Sequence, residues 1–326
     1  MVWLQFLFSA VMIVVAAYFL AKYGDVIAIR TGLGGMFIGI LLMAGATSLP
    51  ELLTSMEAVK QNSPNIAAGN LLGSNGFNML LLAILDLLHR SQRILRKAAM
   101  RHALTGSLAI MMIGLVLYFI AADVQVKLGW VGLDSIIIIA AYIFALRLIS
   151  GDSKAEKLDP KEIPAEVPKL WVGLLGFSVA AGVLIIITPY MVGASVSIAE
   201  ITGLGTTFVG TTLVALVTSL PETVTTIAAI RMGASDMAIG NLFGSNMFNM
   251  FALGLTDLFY TQGRFLSTID PTFMLVGMFG LLMTSIGLVG NLAKLERRLW
   301  FIEIDSLLLF LLYFSGMWLL YQRGVS

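Results

Sequence analysis

Apolar runs recur along the chain near 2–21, 33–59, 65–88, 103–122, 129–149, 170–192, 205–230, 236–259, 272–292 and 300–322. A helix needs about 20 such residues to cross the hydrocarbon core of a bilayer, and each run meets that length. The runs are continuously apolar and do not alternate at period two, so membrane strands are not expected. The pattern predicts an all-α membrane protein with ten transmembrane helices. Polar and turn-forming residues at Asn62-Ser63-Pro64 and Gly233-Ala234-Ser235 separate two tightly linked helix pairs. The first run has no basic residue before it and Lys22 directly after it, the reverse of a secretory signal, so it is expected to be a mature helix.

One stretch breaks the apolar pattern. Gly151 to Lys169 (GDSKAEKLDPKEIPAEVPK) carries three prolines and mixed charge, the composition of a solvated linker. It divides the chain into residues 1–149 and 170–326, two five-helix units joined by a linker at 150–169. Basic residues fix the expected orientation. With the N-terminus outside, sixteen of the 20 Lys and Arg residues fall in interior loops; only Lys60, Lys127, Arg264 and Arg323 fall outside. This predicts a multi-pass cell-membrane protein with both termini outside and the linker cytoplasmic.

Composition narrows the function. The chain is 58% hydrophobic and 12% charged, where soluble domains carry roughly 25% charged residues. A net charge of +1 gives no footprint for nucleic acid. With no cysteine there is neither a disulfide framework nor a thiolate metal site. The two histidines, His89 and His102, sit among arginines, so histidine chemistry is not expected. The lipid bilayer is the expected surrounding, and no obligatory protein partner or cofactor is indicated.

The chain also contains itself twice. A gapless shift of 171 residues places Gly32-Leu33-Gly34 on Gly203-Leu204-Gly205, Phe37 on Phe208 and Gly39 on Gly210. The same shift superposes TSLPE at 47–51 on TSLPE at 218–222, and GNLLGSNGFN at 69–78 on GNLFGSNMFN at 240–249. Asp86 and Arg93 fall on Asp257 and Arg264. Five helices per copy is an odd number, so the second copy is expected to enter the membrane from the opposite side. Such inverted repeats are common in secondary transporters, whose binding sites lie near the midplane where the repeats meet.

Glu51 and Glu222 are acids near the middle of long apolar segments, where a carboxylate is costly and marks function by default. Each follows a proline, which lacks the backbone donor and frees a carbonyl in the preceding turn. Helices broken at this depth are expected at the core. The carbonyls around Ala44, Thr47, Ala215 and Thr218 then become candidate ligands for a hard cation. In the second motif, glycines explain close helix packing, but Asn70, Ser74, Asn75 and Asn78 are costly in an apolar helix. Ser74 and Asn78 share a helix face, as do Ser245 and Asn249. Carboxylate, amide, hydroxyl and carbonyl oxygens together suit calcium or sodium and not a soft metal.

The paired TSLPE and GN-x-x-GSN-x-x-N segments resemble the alpha-repeats of the calcium/cation antiporter superfamily, and most closely its prokaryotic sodium/calcium exchangers. The resemblance implies that Glu51 and Glu222, with the carbonyls of Thr47 and Thr218, ligate Ca²⁺. It further implies sodium sites at Ser48, Ser74 and Ala44 and at Ser219, Ser245 and Ala215, with Asn78 and Asn249 at the centre. Many exchangers carry an aspartate in at least one of these central positions; this chain has asparagine in both. The expected activity is antiport of Na⁺ against Ca²⁺ by alternating access, with these ions as the transported species. The first helix of each half is expected to slide across a fixed core. Rival readings are a proton-coupled cation antiporter of the same superfamily and a cation channel. An enzyme is not expected, because no intramembrane His, Cys or Lys accompanies the two glutamates.

Overall fold

The computed structural model describes residues 1–31, 44–88, 94–152, 167–231, 235–293, 298–299 and 302–324. The Gly32 to Gly39 end of the repeated register, Arg93 and most of the linker lie outside the described residues. The first half contains α1 (Val2–Thr31), a helical turn at 44–47, α2 (Leu49–Lys60), α3 (Pro64–Leu88), α4 (Ile94–Ala122) and α5 (Leu133–Asp152). The second contains α6 (Leu170–Thr202), the composite α7 (Gly205–Thr218), α8 (Leu220–Arg231), α9 (Ser235–Asp257), α10 (Phe273–Ala293) and α11 (Ile304–Gly324).

Element boundaries repeat with the same 171-residue shift as the motifs. The ends of α1 and α6 fall at Thr31 and Thr202, and those of α4 and α10 at Ala122 and Ala293. Both ends of α2 coincide with both ends of α8, at Leu49/Leu220 and Lys60/Arg231. Two short antiparallel hairpins obey it too. Strands β1 (Lys127–Leu128) and β2 (Val131–Gly132) precede α5; β3 (Arg298–Leu299) and β4 (Ile302–Glu303) precede α11. The duplication therefore extends well beyond the motif segments that reveal it. The chain is mostly helical, and these two hairpins of two-residue strands leave the expected all-α class in place.

Six helices among the described residues are long and apolar enough to span a bilayer: α1, α3, α6 and α11, with His102–Ala122 of α4 and Phe273–Gly290 of α10. The pair α7 and α8, bent by 41°, adds a seventh as one broken span. Helices α5 and α9 occupy the expected runs at 129–149 and 236–259. Several helices outrun their apolar stretches. α1 continues ten residues past the Ala21 limit of its run, and α6 continues to Thr202, where Gly203 with φ 69° caps it in the left-handed conformation. The apolar pattern marks where lipid can touch a helix, not where its backbone bonding stops.

Burial sorts these helices into a core and a periphery. In α3, 89% of the spanning window is buried, against 22% in α6. α1 lies along α6, and both expose large apolar residues, including Leu4, Leu7 and Phe8 on one and Leu175, Ile185 and Ile186 on the other. Exposed apolar surface of that extent marks a lipid-facing element. α3 instead packs against α9, α10 and α7. Its approach to α7 is backbone to backbone: a Cβ at Gly69 would lie 2.7 Å from Thr211 N, and one at Gly73 would lie 2.5 Å from Thr211 O. At the contact α7 widens into a π turn, Gly210–Val214, a feature common at functional sites.

Candidate functional site

Both TSLPE segments use the same local device. Ser48 (φ −90°, ψ 5°) and Ser219 (φ −86°, ψ 3°) interrupt one helix, and a new helix begins at the next residue. Proline then falls in the first turn, where its missing donor would have no helical partner anyway. The glutamate follows, also in the first turn. There the helix N-terminus presents partial positive charge, which favours a carboxylate. Glu51 is 1% exposed and Glu222 is 0% exposed.

One expectation about these breaks is corrected. The prolines do not free the carbonyls of Ala44 and Ala215. Ser48 N donates to Ala44 O and Ser219 N to Ala215 O, both at 3.0 Å. The Thr47 and Thr218 hydroxyls approach the same two oxygens at 3.2 and 3.3 Å. A proline removes the donor for the residue four before it, and those residues are Ala46 and Val217.

The two halves meet through reciprocal side-chain bonds. The Ser48 hydroxyl donates to Glu222 Oε1 at 2.9 Å, and the Ser219 hydroxyl donates to Glu51 Oε1 at 3.0 Å. Thr218 Oγ1 lies 2.8 Å from Asn70 Oδ1, and Thr47 Oγ1 lies 3.4 Å from Asn241 Oδ1. Asn78 donates to Asn246 Oδ1, and Asn249 donates to Asn75 Oδ1, each at 3.0 Å. Each of these six bonds has its mate after the 171-residue shift. Reciprocity of this kind is the mark of a two-fold contact.

These bonds leave a matched set of oxygens without partners. Glu51 Oε2 and Glu222 Oε2, Ser74 Oγ and Ser245 Oγ, and Asn78 Oδ1 and Asn249 Oδ1 are all buried and make no hydrogen bond among the described residues. Buried polar atoms are nearly always satisfied, so three symmetry-related pairs of orphaned oxygens form a pattern. Two carboxylates with neutral oxygens have the composition that hard cations take. Among the described residues no group of three or more His, Cys, Asp and Glu is arranged to hold a metal ion.

The structure thus joins Ser48 to Glu222 and Ser219 to Glu51 in two hydrogen-bonded pairs across the halves, and Asn70 and Asn241 meet the other half at Thr218 and Thr47. Ser74, Ser245, Asn78 and Asn249 present unpartnered oxygens from α3 and α9. Sequence reasoning assigned no role to Asn70, Asn75, Asn241 or Asn246 beyond their cost. Asn70 Nδ2 donates to Glu51 O and Ser55 Oγ, both at 2.9 Å, and so ties α3 to the first turn of α2. Asn241 Nδ2 reaches Thr225 and Thr226 on α8 at 3.4 and 3.3 Å. Their repetition between the motif glycines was the signal that marks them.

The family described as sodium/calcium exchanger protein matches residues 1–151 and 172–322. The chain is 31% identical to inner membrane protein YrbG of Escherichia coli over 249 residues, covering 74% of this chain and 73% of that protein. It is 28% identical to sodium/calcium exchanger MaX1 of Methanosarcina acetivorans over 300 residues, covering 78% and 82%. Among solved structures, the H⁺/Ca²⁺ exchanger CAX superposes with a TM-score of 0.73 at 13% identity, covering 99% of this chain and 85% of that one. The sodium-calcium exchanger NCX_Mj superposes with a TM-score of 0.60 at 21% identity, covering 97% and 98%. At these identities the two structures show a shared fold.

Proposed function

This chain belongs to the sodium/calcium exchanger protein family, within the calcium/cation antiporter superfamily, and from that membership we propose that it exchanges Na⁺ for Ca²⁺ across the cell membrane by alternating access. The observation that carries the proposal is the symmetric set of buried, unpartnered oxygens on Glu51, Glu222, Ser74, Ser245, Asn78 and Asn249.

Glu51 and Glu222 bind Ca²⁺ together, matching its charge with two carboxylates and completing the shell with neutral oxygens. The carbonyls of Thr47 and Thr218 supply two of these. Na⁺ occupies flanking positions built from Ser48, Ser74 and the Ala44 carbonyl in one half and Ser219, Ser245 and the Ala215 carbonyl in the other. In the conformation described, Ala44 and Ala215 each accept one backbone N–H, and the second lone pair of each oxygen is the one offered to a cation. Mg²⁺ is disfavoured because it surrenders its water shell reluctantly. Ten spans in two inverted five-helix units, 1–149 and 170–326 with a cytoplasmic linker at 150–169, place the site at the midplane. α1 and α6, peripheral and paired, move across the core.

Calcium uptake into proteoliposomes tests the proposal. Vesicles loaded with Na⁺ and diluted into Na⁺-free buffer at constant pH should accumulate ⁴⁵Ca²⁺, and K⁺ should not replace Na⁺. Uptake that instead follows a pH gradient in sodium-free buffer would transfer the chain to proton coupling. Saturation and counter-ion dependence distinguish either antiporter from a channel.

A further inference from the structure

The repeat symmetry fails at a buried contact behind the central asparagines. Asn246 Nδ2 lies 3.2 Å from Thr284 Oγ1 on α10, and the Thr284 hydroxyl donates to Gly280 O at 2.7 Å. Thr284 is fully buried. Its equivalent after the 171-residue shift is Ile113 on α4, which carries no hydroxyl. Correspondingly, Asn75 Nδ2 is buried and has no partner, whereas Asn246 Nδ2 has both Thr284 and, at 3.4 Å, Asn75 O.

The consequence follows from which atoms can donate. A main-chain carbonyl can only accept, so Gly280 O fixes Thr284 as its donor. The Thr284 oxygen then accepts from the Asn246 amide nitrogen. Asn246 must turn its Oδ1 the other way, toward Asn78, and Asn78 must answer with its nitrogen. What Asn78 has left to present is Oδ1, the unpartnered atom found there. Each amide in this chain has its orientation set by the one before, back to a group that cannot be reversed. In the other half nothing among the described residues anchors the series. Asn249 donates to Asn75 Oδ1, but Asn75 has no second bond to hold its amide plane, and rotating it by half a turn would offer a donor instead.

We propose that Thr284 and Asn246 are positioning residues that fix Asn78 as an oxygen ligand, so that the two central asparagines of the cation site are chemically inequivalent. Position 78 requires a side chain that donates to Asn246. Position 249 accepts either an amide or a carboxylate, because Asn75 rotates to suit. The inference rests on the proposed cation site, and it names what each half tolerates there.

Equilibrium binding of ⁴⁵Ca²⁺ to the purified full-length protein tests it without requiring exchange. N78D and N249D add the same charge to the site, so a difference between them reports on the lock. N249D should bind at least about tenfold more tightly than N78D, the size of effect that outer-shell partners exert on metal affinity. T284V should weaken wild-type binding by about tenfold or more, and T284S, which keeps the hydroxyl, should restore it. T284V should also improve binding by N78D, because Asn246 is then free to turn its nitrogen toward the new carboxylate. A merely structural Thr284 would lower affinity in both backgrounds. Equal affinities for N78D and N249D, or a T284V effect of the same sign in both backgrounds, would overturn the inference. Wild-type Ca²⁺ binding without Na⁺-driven uptake would contradict the proposed exchange while leaving this comparison decisive.

Discussion

Glu51 and Glu222 show how a costly residue is made tolerable. Each sits in the first turn of a helix, accepts a hydroxyl from the other half, and keeps one oxygen unspent. Glu51→Gln or Glu222→Gln preserves shape and the serine contact but removes half the charge. Calcium transport by either variant should fall by about 100-fold or more, since ligand charge dominates affinity at oxygen sites. Thermal stability without Ca²⁺ should hold or rise, because a buried amide is cheaper than a buried carboxylate. Near-normal uptake by either variant would remove that glutamate from the site. Asn70 has the opposite character. Its donors are satisfied by Glu51 O and Ser55 Oγ, so Asn70→Ala should destabilise the fold by about 1–3 kcal/mol. Chemical denaturation measures that loss, and an unchanged midpoint would show that the contacts are dispensable.

The glycines of α3 look alike in the sequence and differ in the structure. A Cβ at Gly73 would meet the Thr211 backbone at 2.5 Å, while one at Gly76 would have nothing nearer than the Tyr313 ring at 3.8 Å. Gly73→Ala should therefore cost about 1–3 kcal/mol through forced separation of α3 and α7. Gly76→Ala should be neutral or slightly stabilising, as alanine is the better helix former. Melting curves for the two purified variants separate the cases, and equal losses would refute the close approach. The element scale is also where sequence reading reaches its limit. TSLPE announces a break and an acid, and the structure has both. The π turn at Gly210–Val214 leaves no such mark, because a widened turn depends on what packs against it. The Ala44 and Ala215 carbonyls were misjudged because a proline deprives the residue four before it, and local geometry re-used the others. The hairpins escaped notice because two-residue strands carry no periodicity. Asn75 and Asn246 were visible as repeated polar residues, but their orienting role depends on Thr284, which lies outside both motifs.

At the scale of the molecule, the 171-residue shift relates the motifs, most helix ends, the hairpins and the paired bonds between the halves. Two motif pairs were enough to reveal it, since gapless registration is preserved wherever side chains are too constrained to vary. Orientation in the membrane depends on the odd helix count and the distribution of Lys and Arg. Lys60 and Arg231 are equivalent under the shift, both exposed at the ends of α2 and α8. The chain has no cysteine of its own, so single cysteines at these positions report without interference. If the repeats are inverted, a membrane-impermeant thiol reagent should label K60C and R231C from opposite sides. Labelling from the same side would mean a parallel duplication.

The central claim is that the partnerless oxygens of both halves converge on one transported cation. Anomalous diffraction from crystals grown with Ca²⁺ tests it most directly. The predicted result is a strong peak bridging the two carboxylates, about 2.3–2.6 Å from Glu51 Oε2 and Glu222 Oε2, that disappears when Na⁺ replaces Ca²⁺. A Ca²⁺ peak that touches neither glutamate, in protein that still transports the ion, would contradict the account.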